Sequence, residues 1–411
     1  MHLQRTALHN ELHARPSMYF EAPAHVFHLA FLDQDNAARS IIRTLCDRHI
    51  ALADPTQPQG EFPIGGARLK WERHTEFLTL TMVTLPAQGV AWPALPPVLA
   101  GVVETYSGLL INADQICVEA QSSWRGSVKA YGLSDPVGSS IGDQQAIVWS
   151  DLRLNENGLN RLLVLNHALD ARRLGRMVRR LLEIETYRLM ASLTLPIARS
   201  LQPDLTRFEQ ELVKLSDANA AVAGEGVKTL LANITRLSAQ VTQMTARNRL
   251  RFSATEAYAE LVFERITQLH EGRTEDCQRL GSFIGQRFRP TVRYCAATDR
   301  HLTSISHAVA RLGDLLQARV QVEMEEQNGR ILRNLSVRAD TQIHIQRAVE
   351  GLSIIAISYY LFSLAHLFYE GLHTMGLDIS PRSALLTGAP IVGVILAVVA
   401  YRIINVRRQE R

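Results

Sequence analysis

The sequence predicts an α+β protein: an N-terminal mixed α/β domain, a long helical, coiled-coil-like region and a C-terminal two-helix transmembrane hairpin. Three observations predict it. Short β-branched or alternating runs fill residues 25–166, helical periodicity fills residues 167–350, and two almost uncharged apolar runs follow, Leu352–Tyr369 and Ala384–Tyr401. Each apolar run is about 18 residues, near the minimum that crosses a hydrocarbon core of ~30 Å. The expected division is an α/β cytoplasmic domain over 1–166 and a long-helix stalk over 167–350. A hairpin over 351–405, with spans at about 352–370 and 384–402, and a basic cytoplasmic tail over 406–411 complete it.

Residues 1–15 read as a short helical segment stopped by Pro16. Its polar cluster is His9, Glu11, His13 and Arg15. His9 and His13 share a helix face, a spacing that can hold a metal. The order is His-x-Glu-x-His, however, not the His-Glu-x-x-His of a zinc protease, and no third ligand is evident. The expectation is a polar docking segment, with no metal assigned.

Strands are expected at Val26–Leu32, Arg68–Glu72, Phe77–Thr84, Gln115–Glu119, Val128–Tyr131, Ala146–Arg153 and Leu159–Leu165. Asn155-Glu-Asn-Gly158 marks a hairpin turn between the last two. Helices are expected at Asn36–Arg48 and Pro97–Tyr106. The loop Asp135–Asp143 offers backbone N–H groups to an anion, but no helix and lysine follow it, so a plain flexible loop is expected. There is no Walker lysine loop, no Gly-x-Gly-x-x-Gly after a strand and no Ser/His/Asp nucleophile motif. These absences point away from an enzyme and from a bound cofactor.

Asp170 is placed to cap a helix over Ala171–Leu193, ending before Pro196. Arg172, Arg173, Arg176, Arg179 and Arg180 crowd its first half, and Arg179 can pair with Glu183 at i,i+4. A solvated face is expected there, with a surface for anionic lipid or an acidic neighbour as the alternative. Leu230, Ile234, Leu237, Val241 and Met244 step by fours and threes, as do Ile305, Val309, Leu312 and Leu316. A parallel oligomer and antiparallel hairpins within one chain both satisfy that spacing. Gly224, Gly226 and Gly272 mark bends, and Pro290 is expected to break the chain before the last helix.

Basic residues set the expected orientation. Arg330, Arg333, Arg338 and Arg347 precede the first apolar run, and Arg402, Arg407, Arg408 and Arg411 follow the second, whereas the connecting loop carries only Arg382. By the positive-inside rule both termini are cytoplasmic. Tyr359, Ser363, His366, Glu370 and His373 fall on one face of the first span, and Ile345, Val349, Leu352 and Ala356 continue that stripe upstream. A polar seam inside a bilayer faces protein or water, so these five residues are candidates for a helix interface or a pore. Ala389, Gly393 and Ala397 give the second span a small-residue packing face.

The balance of charge, +4 with 20% charged residues, gives no general case for nucleic acid. The first residues have no apolar h-region, so no cleaved signal peptide is expected. Cys46, Cys117, Cys277 and Cys295 are scattered and read as reduced cytoplasmic thiols.

Leu8–Pro16, Arg179-Arg-Leu-Leu-Glu-Ile-Glu-Thr-Tyr-Arg188 and Val349-Glu-Gly-Leu-Ser-Ile-Ile-Ala-Ile-Ser-Tyr-Tyr360 resemble a bacterial family of membrane-anchored proteins known as domain of unknown function 3422. The resemblance covers nearly the whole chain and implies a bacterial inner-membrane protein, without bringing an activity. In architecture the chain also resembles the CorA-type divalent-cation channels, homopentamers whose first span lines the pore and ends in Gly-Met-Asn. Here the corresponding place reads Tyr369-Glu-Gly-Leu372. The leading expectation is a non-enzymatic membrane-anchored scaffold or regulator, partnered by the lipid bilayer, a cytoplasmic protein and further copies of itself. The alternative is a CorA-like homo-oligomeric cation channel or transporter, with His366 facing the path and Glu370 at its outer mouth.

Overall fold

In the computed structural model, the residues described are 16–49, 56–86, 89–221, 226–274 and 277–375, with isolated positions before and after. The chain divides into two compact units, Met1–Asp314 and Leu315–Arg411.

Among the described residues, the first unit is built on one mixed sheet of eight strands. The strands are β1 (Ala24–Leu32), β2 (Gln59–Ile64), β3 (Ala67–Arg73), β4 (Phe77–Thr84), β5 (Leu110–Ala120), β6 (Val137–Ile141), β7 (Ala146–Leu154) and β8 (Asn160–Asn166). Their order is β2-β3-β4-β1-β5-β8-β7-β6, antiparallel throughout except for the parallel pair β5–β8. The Asn155–Gly158 turn forms as expected: Gly158 takes the left-handed conformation at φ 74°, and its N–H donates to the Asn155 carbonyl.

Alternation along β1 divides the two faces. Phe27, Leu29 and Phe31 pack with α1 (Ala37–His49) and α2 (Pro97–Tyr106). Ala24, Val26 and Ala30 point the other way, into a core with α3 (Ala171–Ser192), α5 (Gly226–Gln268) and the start of α6 (Leu280–Thr374). Between α3 and α5 runs α4, Thr194–Ala221. Asp170 caps α3 by accepting from the backbone N–H groups of Arg172 (2.9 Å) and Arg173 (2.8 Å). The periodic runs of α5 and α6 resolve into an antiparallel hairpin. A Cβ on Gly313 would lie 3.7 Å from Ile234, and one on Gly281 would collide with Ile266. Leu230, Ile234, Leu237, Val241, Ile305, Val309 and Leu312 are all buried.

Four local expectations are corrected. Val128–Tyr131 is a short 3-10 turn, because Gly126 and Gly132 on either side take positive φ and Tyr131 turns inward to stack on Trp124 at 5.3 Å. The supposed loop within Asp135–Asp143 contains strand β6, buried along its length. Strand β2 went unread altogether. Both missed strands carry a glycine directly opposite a tryptophan, Gly60↔Trp71 and Gly138↔Trp149, and in each case a Cβ would collide with the indole. The tryptophan of the neighbouring strand supplies the packing that the glycine lacks, so weak β propensity is overridden. Finally, Pro290 lies inside α6 rather than before it. Phe288 and Cys295, buried on either side of it, hold the helix in the core despite the missing N–H.

Candidate functional site

Two places carry functional interest: the apolar length of α6 in the second unit, and a polar layer between sheet and helices in the first.

Among the described residues, α6 is the one helix long and apolar enough to cross a membrane, and none of its apolar window is buried. Ile354, Ile355, Tyr359, Tyr360, Phe362, Leu364, Leu367 and Phe368 are all exposed. Unpartnered apolar surface of this extent on one helix needs a non-aqueous environment or another chain. Tyr359, Ser363, His366 and Glu370 belong to the same unbroken helix and their spacing puts them along one face; His373 is helical too. Ala389, Gly393 and Ala397 are each helical and exposed, but residues 376–387 and much of the second apolar run lie outside the described residues. The basic tail lies outside them as well.

Of the N-terminal cluster, His9 is helical and exposed, while Glu11, His13 and Arg15 lie outside the described residues. The segment just after them is docked. Lys70 Nζ donates to the Pro16 carbonyl, Arg68 to the Tyr19 carbonyl, and the Arg172 guanidinium sits 5.8 Å over the Tyr19 ring. A Cβ on Gly175 would collide with the Met18 carbonyl oxygen, so glycine lets this segment cross α3 closely.

Beneath that crossing lies the polar layer. Register puts Lys70 beside Thr81, Glu72 beside Thr79 and Thr81 beside His28, all on the helix-facing side of the sheet. Lys70 pairs with Glu72 at 3.0 Å, Glu72 with Arg179 at 3.2 Å, and Arg179 with Glu183 at 2.7 Å, and Glu183 also binds Arg265. The i,i+4 pair forms as anticipated, but it does not lie on a solvated face. Its side chains are only 23% and 15% exposed, because α3 turns Arg179 and Glu183 toward the sheet and α5.

Next to these charges, the His28 imidazole bonds Thr81 Oγ1 (2.8 Å) and Thr186 Oγ1 (3.1 Å). Asn112 donates to the same Thr186 oxygen at 3.1 Å and to Asp114 at 2.6 Å, and Asn160 donates to Asp114 at 2.9 Å. Burial lowers the His28 pKa to about 4, so the ring is neutral. Burial first, and the Glu185 carboxylate second, raise Asp114 to about 7. Arg188 in turn binds Glu185 at 2.6 Å.

A cavity of about 50 Å³ opens among His28, Lys70, Glu72, Thr81, Arg179 and Thr186. That volume holds a few waters rather than a substrate. With its charges paired and both ring nitrogens bonded, the layer joins the sheet to α3. It was not legible in the sequence, since its contacts link residues as far apart as His28 and Thr186. Among the described residues no group of three His, Cys, Asp or Glu is arranged to hold a metal.

The fold and this helix define an α+β protein with, among the described residues, one candidate membrane span. The chain belongs to the family described as Protein of unknown function (DUF3422), whose model matches residues 1–409. Among solved structures it is similar to the full-length CmaX protein, at 13% identity over 77% of this chain and 92% of that one, with a TM-score of 0.22. No curated protein matches it.

Proposed function

We propose that this chain is a non-enzymatic scaffold or regulator anchored in the cytoplasmic membrane of a bacterium, its α/β unit binding a cytoplasmic partner. The observation that carries the reading is the apolar window of α6, of which 0% is buried. The second apolar run, Ala384–Tyr401, is long and apolar enough in sequence to return the chain across the bilayer. Arginines before the first span and after the second favour both termini in the cytoplasm. Fractionation after alkaline carbonate washing, with protease protection of tags at each end, tests the anchor. Recovery in the soluble fraction, or a terminus protected inside sealed inverted vesicles, would overturn it. Exchange of both spans for an unrelated two-span anchor tests the scaffold. Membrane association and partner recovery are expected to survive that exchange.

The polar seam favours a second reading, a homo-oligomeric cation channel with the first span lining the path. Tyr359, Ser363, His366 and Glu370 share one face of an unbroken helix, as a pore wall requires. Under this reading Glu370→Gln and His366→Ala change cation flux in reconstituted vesicles. A wild-type protein that is monomeric and passes no ions ends it.

A further inference from the structure

On the opposite face of the sheet from the polar layer, at the end away from α1 and α2, lies a larger cavity of about 270 Å³. It is lined by His25, Cys117, Glu119, Ser123 and Arg125, with Gly89 and Val90 beside them. None of these residues was singled out by motif or spacing. His25 and Cys117 are directly paired across β1 and β5, and Glu119 lies two residues further along β5, so all three project to one face.

The walls are held in place. Arg125 donates to the Gly89 carbonyl at 3.0 Å, its guanidinium lies 5.1 Å over the Tyr131 ring, and its own N–H donates to the Tyr131 hydroxyl at 3.2 Å. Gln115 donates to the Pro93 carbonyl at 2.7 Å and Trp92 to the Tyr131 carbonyl at 2.7 Å, which ties the two covering loops together. On the floor, Glu119 accepts from the Cys117 thiol at 3.6 Å and from the Ser123 hydroxyl.

His25 is the unusual member. It is 3% exposed, and its Nδ1 has no hydrogen-bond partner among the described residues. That nitrogen is sealed from solvent, so the imidazole walls the cavity without offering it an acceptor. The floor therefore offers one acceptor, the Glu119 carboxylate, which can take up to about four hydrogen bonds. The mouth offers an exposed guanidinium. A simple anion is disfavoured by Glu119. A metal lacks its third ligand, since no such group exists among the described residues.

We propose that this cavity binds a small zwitterion of the free amino-acid class, its ammonium donating to Glu119 and its carboxylate held by Arg125. The site is independent of the membrane reading and would give the α/β unit a small-molecule input.

Calorimetric titration of the purified full-length protein in detergent with each of the common free amino acids tests this. At least one is expected to saturate the protein at or below about 1 mM, with N-acetyl and decarboxylated analogues each about tenfold weaker or worse. Arg125→Ala, confirmed as folded by a cooperative thermal melt, is expected to weaken binding at least about tenfold, because a charge-assisted bond is lost. Glu119→Gln is expected to weaken the amino acid while leaving its N-acetyl analogue little changed. The proposal is overturned if no amino acid saturates the folded protein by about 10 mM. It is also overturned if Arg125→Ala binds as tightly as wild type.

Discussion

Asp114 and His28 are joined through Asn112 and Thr186, yet they respond to pH in opposite senses. Asp114 binds its proton more tightly folded than unfolded, so its contribution is full below about pH 4 and is lost as pH rises to about 7. The His28 pKa is lowered from 6.5 to about 4, so its contribution is full above 6.5 and is lost as pH falls toward 4. Over the shared window one proton offsets the other, and the pair adds little net slope. Single substitutions expose each half. In thermal melts from pH 4.5 to 7.5, the difference in melting temperature between Asp114→Asn and wild type should grow more positive as pH rises. For His28→Gln the difference should grow more negative as pH rises. Glu72 makes a different case, because it pairs with both Lys70 and Arg179. Glu72→Gln leaves the buried Lys70 ammonium without its carboxylate, with an expected loss of about 3–5 kcal/mol in denaturant unfolding. None of this was visible in a motif. Asp114 and Asn112 sit in an unremarkable strand sequence, and only the approach of α3 makes them buried.

The elements were legible where local pattern and tertiary packing agree. Strand β4, helix α2 and the capped start of α3 carry their own signals, alternation, a proline at the first turn and Asp170. The edge strands β2 and β6 do not, because their glycines read as turn residues until Trp71 and Trp149 are seen to cover them. Both pairs are spaced eleven residues apart (60 to 71, 138 to 149), the signal that could have revealed them. Gly138→Val should therefore displace Trp149 and destabilise the protein by about 1–3 kcal/mol, read by chemical melts and by tryptophan emission. In the helical hairpin, Leu237 is fully buried, and Leu237→Ala should cost about 2–5 kcal/mol in the same melts. The arginines of α3 show the converse limit. Periodicity can place Arg179 and Glu183 on one stripe, but it cannot say that the stripe faces a carboxylate from β3.

For the protein taken together, the strongest single consequence lies in α6. An arginine at Ile355, near the middle of the exposed apolar length, should lower membrane insertion by roughly 2.5–3.5 kcal/mol. Carbonate extraction of Ile355→Arg should then release more protein than wild type or Ile355→Leu, and equal retention would count against the span. That length was readable from sequence alone because hydropathy and helical period are properties of consecutive residues. So were most strands, the cap and the α5–α6 repeats. Tertiary structure alone decided which strands are neighbours, that the repeats close on each other antiparallel, that the arginine face of α3 is turned inward, and that His25 and Cys117 meet at a cavity. Each of these is a contact between residues far apart in the chain, where no local period carries the information and burial is settled only when the layers come together.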